Sequence, residues 1–320
     1  MKALIAIYLG LAGLLGCPSL VRGDAIDGTW QANAGLSRVV ALSVTEVSDA
    51  QGIFHHRGNY YLFGETKRAG VACGVVVELD RGLKPTGKSL DLRYLKKNLL
   101  IHPTGITYSP RWGIVIGNTW NQRGTIYRLN WNRAWRDGNL DHALIAVVID
   151  DAAENGTRPE FVSVRGREYL ASADYGAVKP ALRLYDPGKI FRAKHTLGAV
   201  IKSLPAGPFT QSLRWQPEQG RLTFVQNVVA GRGWRLDSID LTRAVDGESL
   251  SAPGARLERK TFLQHGELEA WYPLSSHREL FITSSDRENL VIGRPVSIPV
   301  TPSSPGDRRF LPVGEPSRRR

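Results

Sequence analysis

The sequence predicts an all-β protein, a five-bladed β-propeller with about four strands per blade, and three observations support this. A hairpin of two short strands, QGIFHHRGNYYLFGE at 51–65, recurs four more times, starting near residues 103, 158, 210 and 267. Further short strands bounded by turn residues follow each hairpin. A single unpaired strand precedes the first unit, and the last unit has one strand too few. The equivalent positions are Gly52, Gly105, Glu160, Ser212 and Glu269, with steps of 53, 55, 52 and 57 residues. A period near 50 with several strands per unit is typical of propellers.

Residues 1–23 are predicted to be a secretory signal peptide, because one lysine is followed by an apolar run from Ala3 to Gly16. Two interpretations of its processing stay open. Cleavage before Asp24 would release a soluble chain, whereas the segment ending at Cys17 resembles a bacterial lipobox and would leave that cysteine lipidated. Both predict export to the periplasm or the extracellular space. Contact with a membrane is expected only through the lipid anchor at Cys17.

The propeller is predicted to occupy residues 24–300 as one domain. The predicted blades span residues 48–95, 102–150, 157–204, 209–263 and 266–298. The fifth blade lacks an outer strand, and residues 39–47, VVALSVTEV, alternate as one strand should. We therefore expect this N-terminal strand to complete the last blade, which closes the ring and leaves no open sheet edge.

Two segments depart from the strand pattern. The third strands of the first four blades end on a turn-forming side chain: Asp80, Asn130, Asp186 and Asp240. After Asn130, the segment NWNRAWRDGNLDHA predicts one short helix around Ala134 and Trp135. Residues 301–320 are rich in proline and arginine, which predicts a disordered basic tail.

Composition limits the function classes. The chain has 42 basic and 30 acidic residues, giving a net charge of +12. Outside the tail the two signs are interspersed, and no aromatic and basic pattern of a nucleic-acid-binding sheet is present, so no nucleic-acid partner is expected. The two cysteines, Cys17 and Cys73, have no metal-type spacing, and no cofactor is predicted. We expect a monomer.

The candidate site follows from the fold. In a propeller the innermost strands line the central channel, so the residues that enter these strands meet at one mouth. They are Asp49, Gln51, His102, Thr104, Arg158, Glu160, Thr210, Gln211, Glu267 and Glu269. A second ring comes from the ends of the second strands: Glu65, Asn118, Asp174, Gln226, Asn227, Ser284 and Ser285. Several carboxyl groups at one mouth suit acid–base chemistry, where one is charged and another protonated. An alternative interpretation is that these polar residues are solvated or structural. A third interpretation is a structural Ca²⁺ held by Asp49, Glu160 and Glu269.

Other catalytic classes lack support in the sequence. No G-x-S-x-G elbow is present. Neither a glycine-rich phosphate loop nor a dinucleotide-binding motif occurs. The channel mouth therefore remains the candidate site, and its expected partner is a small molecule or glycan.

Two segments, HHRGNYYLFGETK at 55–67 and RPEFVSVRGREYLASADYG at 158–176, resemble blades of the five-bladed arabinanase, xylosidase and galactanase-like glycoside hydrolases. That resemblance implies a base Asp on the first blade, a pKa-tuning Asp on the second and an acid Glu on the third. It would make Asp49 the base and Glu160 the acid. The second blade has His102 and Thr104 in place of the Asp, so the catalytic set of three is incomplete. More broadly, the chain is similar to uncharacterised secreted bacterial propeller proteins.

Three functional hypotheses follow. The first is a carbohydrate-active enzyme with Glu160 as acid and Asp49 or Glu269 as base. The second is a propeller that binds a ligand without catalysis, with His102, Arg158 and Glu269 as polar anchors; Gln51, Thr104, Gln211, Glu267, Glu65 and Asp174 complete the predicted binding set. The third is an interaction scaffold with no enzymatic activity.

Overall fold

The computed structural model describes residues 31–68, 70–121, 123–154, 156–176, 180–229, 232–284 and 288–298. It confirms a five-bladed β-propeller built almost entirely of strands. The predicted signal peptide, Cys17, Ser285 and the tail at 301–320 lie outside the described residues and stay predictions. Within the described part of the chain, no helix has the length and apolar character that crossing a membrane requires.

The blades follow one another along the chain. The N-terminal strand β1 is Gln31–Leu42. Blade one contains β2 (Asp49–His56), β3 (Asn59–Arg68), β4 (Val71–Leu79) and β5 (Pro85–Asp91), and a small ribbon of β6 (Arg93–Tyr94) and β7 (Lys97–Asn98) follows. Blade two contains β8 (Pro103–Ser109), β9 (Gly113–Trp120), β10 (Arg123–Leu129) and β11 (Leu144–Asp150). Blade three contains β12 (Pro159–Val164), β13 (Arg167–Ala173), β14 (Ala181–Tyr185) and β15 (Val200–Pro205). Blade four contains β16 (Thr210–Gln216), β17 (Arg221–Val229), β18 (Arg232–Asp240) and β19 (Arg256–His265). Blade five contains β20 (Leu268–Ser275), β21 (Arg278–Thr283) and β22 (Leu290–Ile298), with β1 added outside β22.

Apolar side chains from the blade faces form the core. Between blades one and two, Phe63 and Leu90 pack in one buried cluster with Ile116 and Leu129. Trp131 closes this cluster edge-on against Tyr61, with ring centroids 5.3 Å apart. Burial of such faces is the main favourable term in folding, and it leaves the polar residues at the strand ends to line the channel.

Among the described residues, three short α-helices connect third and fourth strands. They are α1 (Trp131–Asp137), α2 (Pro187–Ala193) and α3 (Leu241–Asp246). The helix predicted in blade two is therefore confirmed, while α2 and α3 were not predicted. Each is capped by the residue at which the sequence places a turn: Asn130, Asp186 and Asp240 accept hydrogen bonds of 3.0–3.1 Å from the backbone N–H three residues on.

The N-terminal strand closes blade five as predicted, although its bounds differ. It covers Gln31–Leu42 instead of residues 39–47, and it pairs antiparallel with β22. The buried amide of Asn289 explains the difference. Its Oδ1 accepts a hydrogen bond of 2.9 Å from the Val44 N–H, and its Nδ2 donates to the carbonyls of Val44 and Val47 at 2.9 and 3.2 Å. These bonds hold residues 44–47 as a turn. Residues 31–34 also pair in parallel with β19, which joins blades four and five into one sheet.

Four innermost strands carry a register break at the same place. The break lies between Ala50 and Gly52 in blade one, and the matching steps skip Thr104, Gln211 and Glu269 in blades two, four and five. Each skipped residue is the extra residue of a β-bulge, which re-aims a side chain relative to its neighbours. In blade three, Pro159, Glu160 and Phe161 pair with β13 without a break. Blade three therefore lacks a backbone feature that the other four inner strands share.

Candidate functional site

One large polar pocket lies at the mouth of the channel where the innermost strands begin. Its volume is about 570 Å³, and all five blades contribute to it. The lining residues are Ser48, Asp49, Gln51, Glu65, Lys67, His102, Thr119, Arg158, Tyr175, Gln211, Glu267, Glu269 and Ser284. We call this cavity the central pocket. Nine of the residues singled out from the sequence line it: Asp49, Gln51, Glu65, His102, Arg158, Gln211, Glu267, Glu269 and Ser284.

Blades one and two supply a carboxylate and imidazole pair on one wall. His102 Nδ1 contacts Glu65 Oε1, and the His102 backbone N–H donates to Asn118 Oδ1 at 3.0 Å. Asp49 pairs with Glu65 across β2 and β3, and it accepts a hydrogen bond of 3.3 Å from Gln51 Nε2. Burial raises the pKa of Asp49, and the charge of Glu65 adds to this, while His102 opposes it.

Glu269 is the most deeply buried acid of the pocket wall, with only 2% of its surface exposed. Its Oε1 accepts a hydrogen bond of 3.4 Å from Gln211 Nε2. Burial raises the pKa of Glu269 well above its ordinary value, and the negative charges of Glu267 and Asp49 raise it further. Burial and the two neighbouring acids therefore favour the protonated form of Glu269.

Arg158 supplies a buried cation on the blade-three side. Its guanidinium carbon lies 5.0 Å from the centroid of the Tyr175 ring, which is a cation–π geometry. Burial lowers the pKa of Arg158 to about 10, and the charge of Glu269 is the largest influence opposing this. The side chain remains cationic at neutral pH, so the pocket combines a positive group with its acids.

Glu160 lies elsewhere, in contrast to the placement expected from the sequence. It lines a separate cavity of about 30 Å³ together with Ile53, Ile106 and Arg214. Its Oε1 accepts a hydrogen bond of 3.0 Å from the Trp215 N–H. Burial raises the pKa of Glu160 to about 7. The cavity has room for about one water molecule and none for a sugar ring. The unbroken pairing of blade three explains why Glu160 does not reach the pocket.

Two other predicted residues serve the scaffold. The Thr104 hydroxyl donates to the Thr157 carbonyl of the next blade. Asp174 forms a buried ion pair of 2.7 Å with Arg183, and it also accepts hydrogen bonds from the backbone N–H groups of Glu154 and Ala181. Neither residue lines the central pocket, so their polar groups are used in joining loops and blades.

Four lining residues were missed by sequence reasoning: Ser48, Lys67, Thr119 and Tyr175. Lys67 was the easiest to find, because it lies two residues after Glu65 in the same strand and so shares its face. Ser48 and Thr119 directly neighbour residues that the sequence did single out. Tyr175 likewise directly follows Asp174, another residue singled out from the sequence.

Metal binding has no geometric support in the part of the chain that the structure describes. No group of three or more His, Cys, Asp or Glu side chains is arranged there to hold an ion. The calcium ion considered from the sequence stays a prediction. What the pocket offers chemically is four carboxyl groups, two amides, one imidazole, one guanidinium and the amine of Lys67.

Comparisons with solved structures find chains of low similarity. The catalytic domain of a GH62 α-L-arabinofuranosidase from Coprinopsis cinerea is 10% identical, with 84% of this chain and 98% of that chain covered and a TM-score of 0.46. MPT-4, a mannose phosphorylase from Leishmania mexicana, is 9% identical, with 83% and 88% covered and a TM-score of 0.45. Hydrazine synthase from Kuenenia stuttgartiensis is 12% identical, with 80% and 67% covered and a TM-score of 0.40.

These similarities are too distant to carry a functional argument. The chain spans about two thirds or less of the hydrazine synthase and Sqt1 chains that it matches. No protein-family description and no curated protein matches the sequence. The protein is defined by its fold, a five-bladed β-propeller, and a function has to be argued from the central pocket.

Proposed function

We propose that this propeller is a carbohydrate-active enzyme that hydrolyses a glycosidic bond in the central pocket, with Glu269 as general acid and Asp49 as general base. The observation that carries the proposal is the position of Glu269. It is a buried carboxyl group with a raised pKa, in the wall of a large open pocket, and other carboxyl groups of the same pocket act on it. Pairs of acids whose surroundings give them different protonation states are the usual acid and base of glycosidases.

The shape and polarity of the pocket suit a sugar. A volume of about 570 Å³ lies within the range of small-molecule sites, which is about 300–1,000 Å³. Gln51, Gln211 and Ser284 offer neutral hydrogen-bonding groups to hydroxyls. Tyr175 offers a ring against which a sugar face can pack. The guanidinium group of Arg158 contacts that ring and holds it in position.

In this proposal Glu269 gives its proton to the glycosidic oxygen as the bond from that oxygen to the anomeric carbon breaks. Asp49 takes a proton from the attacking water, whose oxygen forms the new bond to the anomeric carbon. Water is the only co-reactant, and the products are two sugars with free hydroxyls. The acid therefore differs from Glu160, which the family resemblance favours. Export, through the predicted leader, would bring such an enzyme to extracellular or periplasmic glycans.

The test compares Glu269→Gln with Glu160→Gln on a panel of nitrophenyl glycosides and natural oligosaccharides. Loss of a general acid typically costs about 10²–10⁴-fold in rate, so E269Q should lose that much in kcat while still binding the sugar in calorimetry. E160Q should keep its turnover, because its side chain lies outside the pocket. Turnover that survives E269Q and disappears in E160Q would overturn the assignment.

A second function has one observation in its favour. The three catalytic positions of the resembled hydrolases are not assembled in the central pocket, because Glu160 lies in the small cavity and blade two brings His102. This favours a propeller that binds a saccharide without cleaving it. Calorimetric binding of an oligosaccharide by the wild type, with no product after long incubation, would select this alternative. E269Q should then weaken binding.

A further inference from the structure

A groove between blades three and four is lined by more positive than negative side chains. It lies where the end of β15 in blade three meets β18 and β19 in blade four, and its volume is about 200 Å³. Three arginines line it, Arg235, Arg256 and Arg259, against one carboxylate, that of Asp237. We call it the arginine groove. It shares none of its lining residues with the central pocket.

The arginines are held by different partners. Arg259 uses Nε and Nη2 in a two-pronged contact with Asp237, with both distances 2.6 Å. Arg235 donates from Nε and Nη2 to the neutral amide oxygen of Gln226 at 3.0 and 2.9 Å. Among the described residues, the hydrogen bond given by Arg256 is a long one of 3.3 Å to Ser251 Oγ. Asp237 also forms a longer ion pair of 3.6 Å with Arg235 Nε. The one carboxylate is therefore shared by two arginines, and three guanidinium groups face a single negative charge.

Burial makes this imbalance costly. The side chains of Arg235 and Arg259 are only 17% and 21% exposed. Burial lowers the pKa of Arg235; Asp237 opposes the shift, and Arg259 and Arg256 add to it. Like charges in a partly buried groove destabilise the fold unless an anion compensates them.

The floor of the groove leaves room for a close approach. Gly207 lies beside the Arg235 guanidinium, where a Cβ atom would come within 3.0 Å of Arg235 Nη2 and 2.6 Å of Gln226 Nε2. Glycine at this place keeps the polar groups of both side chains accessible from the groove.

We propose that the arginine groove binds a tetrahedral oxyanion, a phosphate or sulfate group, between Arg235 and Arg256. Guanidinium groups recognise such anions through paired N–H donors. The volume is below the range of drug-sized sites, which suits a single small group. The group is either a free inorganic anion or an ester carried on a saccharide, and both present the same oxygens to the groove.

The test uses calorimetry on the folded chain at low ionic strength with four titrants: inorganic phosphate, inorganic sulfate, glucose 6-phosphate and sodium chloride. Phosphate or sulfate should bind, and chloride should not. Arg256→Gln should weaken the binding about tenfold, the loss expected for one charge-assisted contact. Gly207→Ala should also weaken it, without any change in charge.

Arg221→Gln is the matched control. Arg221 lies in the same blade, pairs with Glu258 at 3.4 Å and does not line the groove, so its removal changes the net charge equally. Equal weakening by R256Q and R221Q, or no wild-type binding at millimolar anion, would overturn the proposal. Thermal melting of each variant checks folding. Tighter binding of glucose 6-phosphate than of phosphate assigns the site to an ester, and the reverse assigns it to the free anion.

Discussion

Gln211 of blade four donates a hydrogen bond of 3.4 Å to Glu269 of blade five, and each of these residues is the extra residue of a β-bulge. The bond crosses a blade boundary, so two strands fix the carboxyl group of Glu269. It also satisfies one oxygen of an acid that is almost fully buried. The same backbone feature in blade one brings Gln51 to the pocket, where it donates to Asp49.

The first prediction concerns the pH dependence of turnover in the central pocket. After burial, the charge of Glu267 is the largest influence that raises the pKa of Glu269. Glu267→Gln should therefore lower that pKa and move the alkaline limb of the kcat profile to lower pH, because the acid loses its proton earlier. Glu65→Gln is the control, because the charge of Glu65 is the one that most influences the pKa of Asp49. It should leave the alkaline limb in place, and identical profiles for E267Q and the wild type would contradict the prediction.

The second prediction concerns folding stability and Glu160. Its pKa of about 7 lies above the ordinary 4.5, so the folded state holds the proton more tightly than the unfolded state. The cost of ionisation is absent below about pH 4.5, grows as the pH rises and is complete above about pH 7, with an upper bound on the order of 3 kcal/mol. Glu160→Gln keeps an acceptor for the Trp215 N–H and cannot ionise. E160Q should therefore exceed the wild type in free energy of unfolding at pH 8, and the gain should shrink towards pH 5.

Chemical denaturation across that pH range measures the effect. Glu218→Gln serves as control, because Glu218 is an exposed residue of the turn after β16. Parallel curves of unfolding free energy against pH for E160Q and the wild type, from pH 5 to 8, would show that burial does not raise the pKa of Glu160.

The third prediction concerns the closure of the ring. Asn289→Ala removes three buried hydrogen bonds to the turn at residues 44–47. The Val44 carbonyl keeps its bond of 3.2 Å from the Val47 N–H, whereas the Val44 N–H and the Val47 carbonyl lose the bond that Asn289 supplies. The free energy of unfolding should fall by about 3 kcal/mol. Asn98→Ala is a gentler comparison, because the half-buried Asn98 donates one bond of 2.8 Å to Ala72 O, and its loss should cost about 1 kcal/mol. Equal losses in urea denaturation would argue against a special role of Asn289.

The fourth prediction separates structure from binding at Asp174. Asp174→Asn breaks a buried ion pair with Arg183, so the free energy of unfolding should fall by about 3–5 kcal/mol. Asp186→Asn makes the same chemical change at an exposed pair with Arg167, where the loss should stay below about 1 kcal/mol. Sugar affinity of folded D174N should stay near that of the wild type, because Asp174 does not line the pocket. A large loss of affinity with unchanged stability would restore Asp174 as a ligand contact.

The sequence predicted the ring well because a propeller repeats itself. Hairpins about fifty residues apart, with alternating apolar residues, leave few other ways to bury their faces. The same repeat located nine residues of the central pocket, since equivalent strand ends meet at one mouth. Asn130, Asp186 and Asp240 were recognised as turn-forming residues, but helices of six or seven residues are too short to show a helical period. The helix in blade two was predicted only because its segment interrupts the strand pattern.

What the sequence by itself determined is the propeller, its closure by an N-terminal strand and the polar character of the channel mouth. The tertiary structure alone decided that Glu269 reaches the pocket and Glu160 does not. Both are glutamates at the entry of an inner strand, but Glu269 is the extra residue of a β-bulge, whereas Glu160 is paired in an unbroken ladder. A bulge depends on how one strand pairs with its neighbour, which is a relation between distant segments. For the same reason, only the structure could show Asn289 turning residues 44–47 away from a strand and three arginines meeting around one carboxylate.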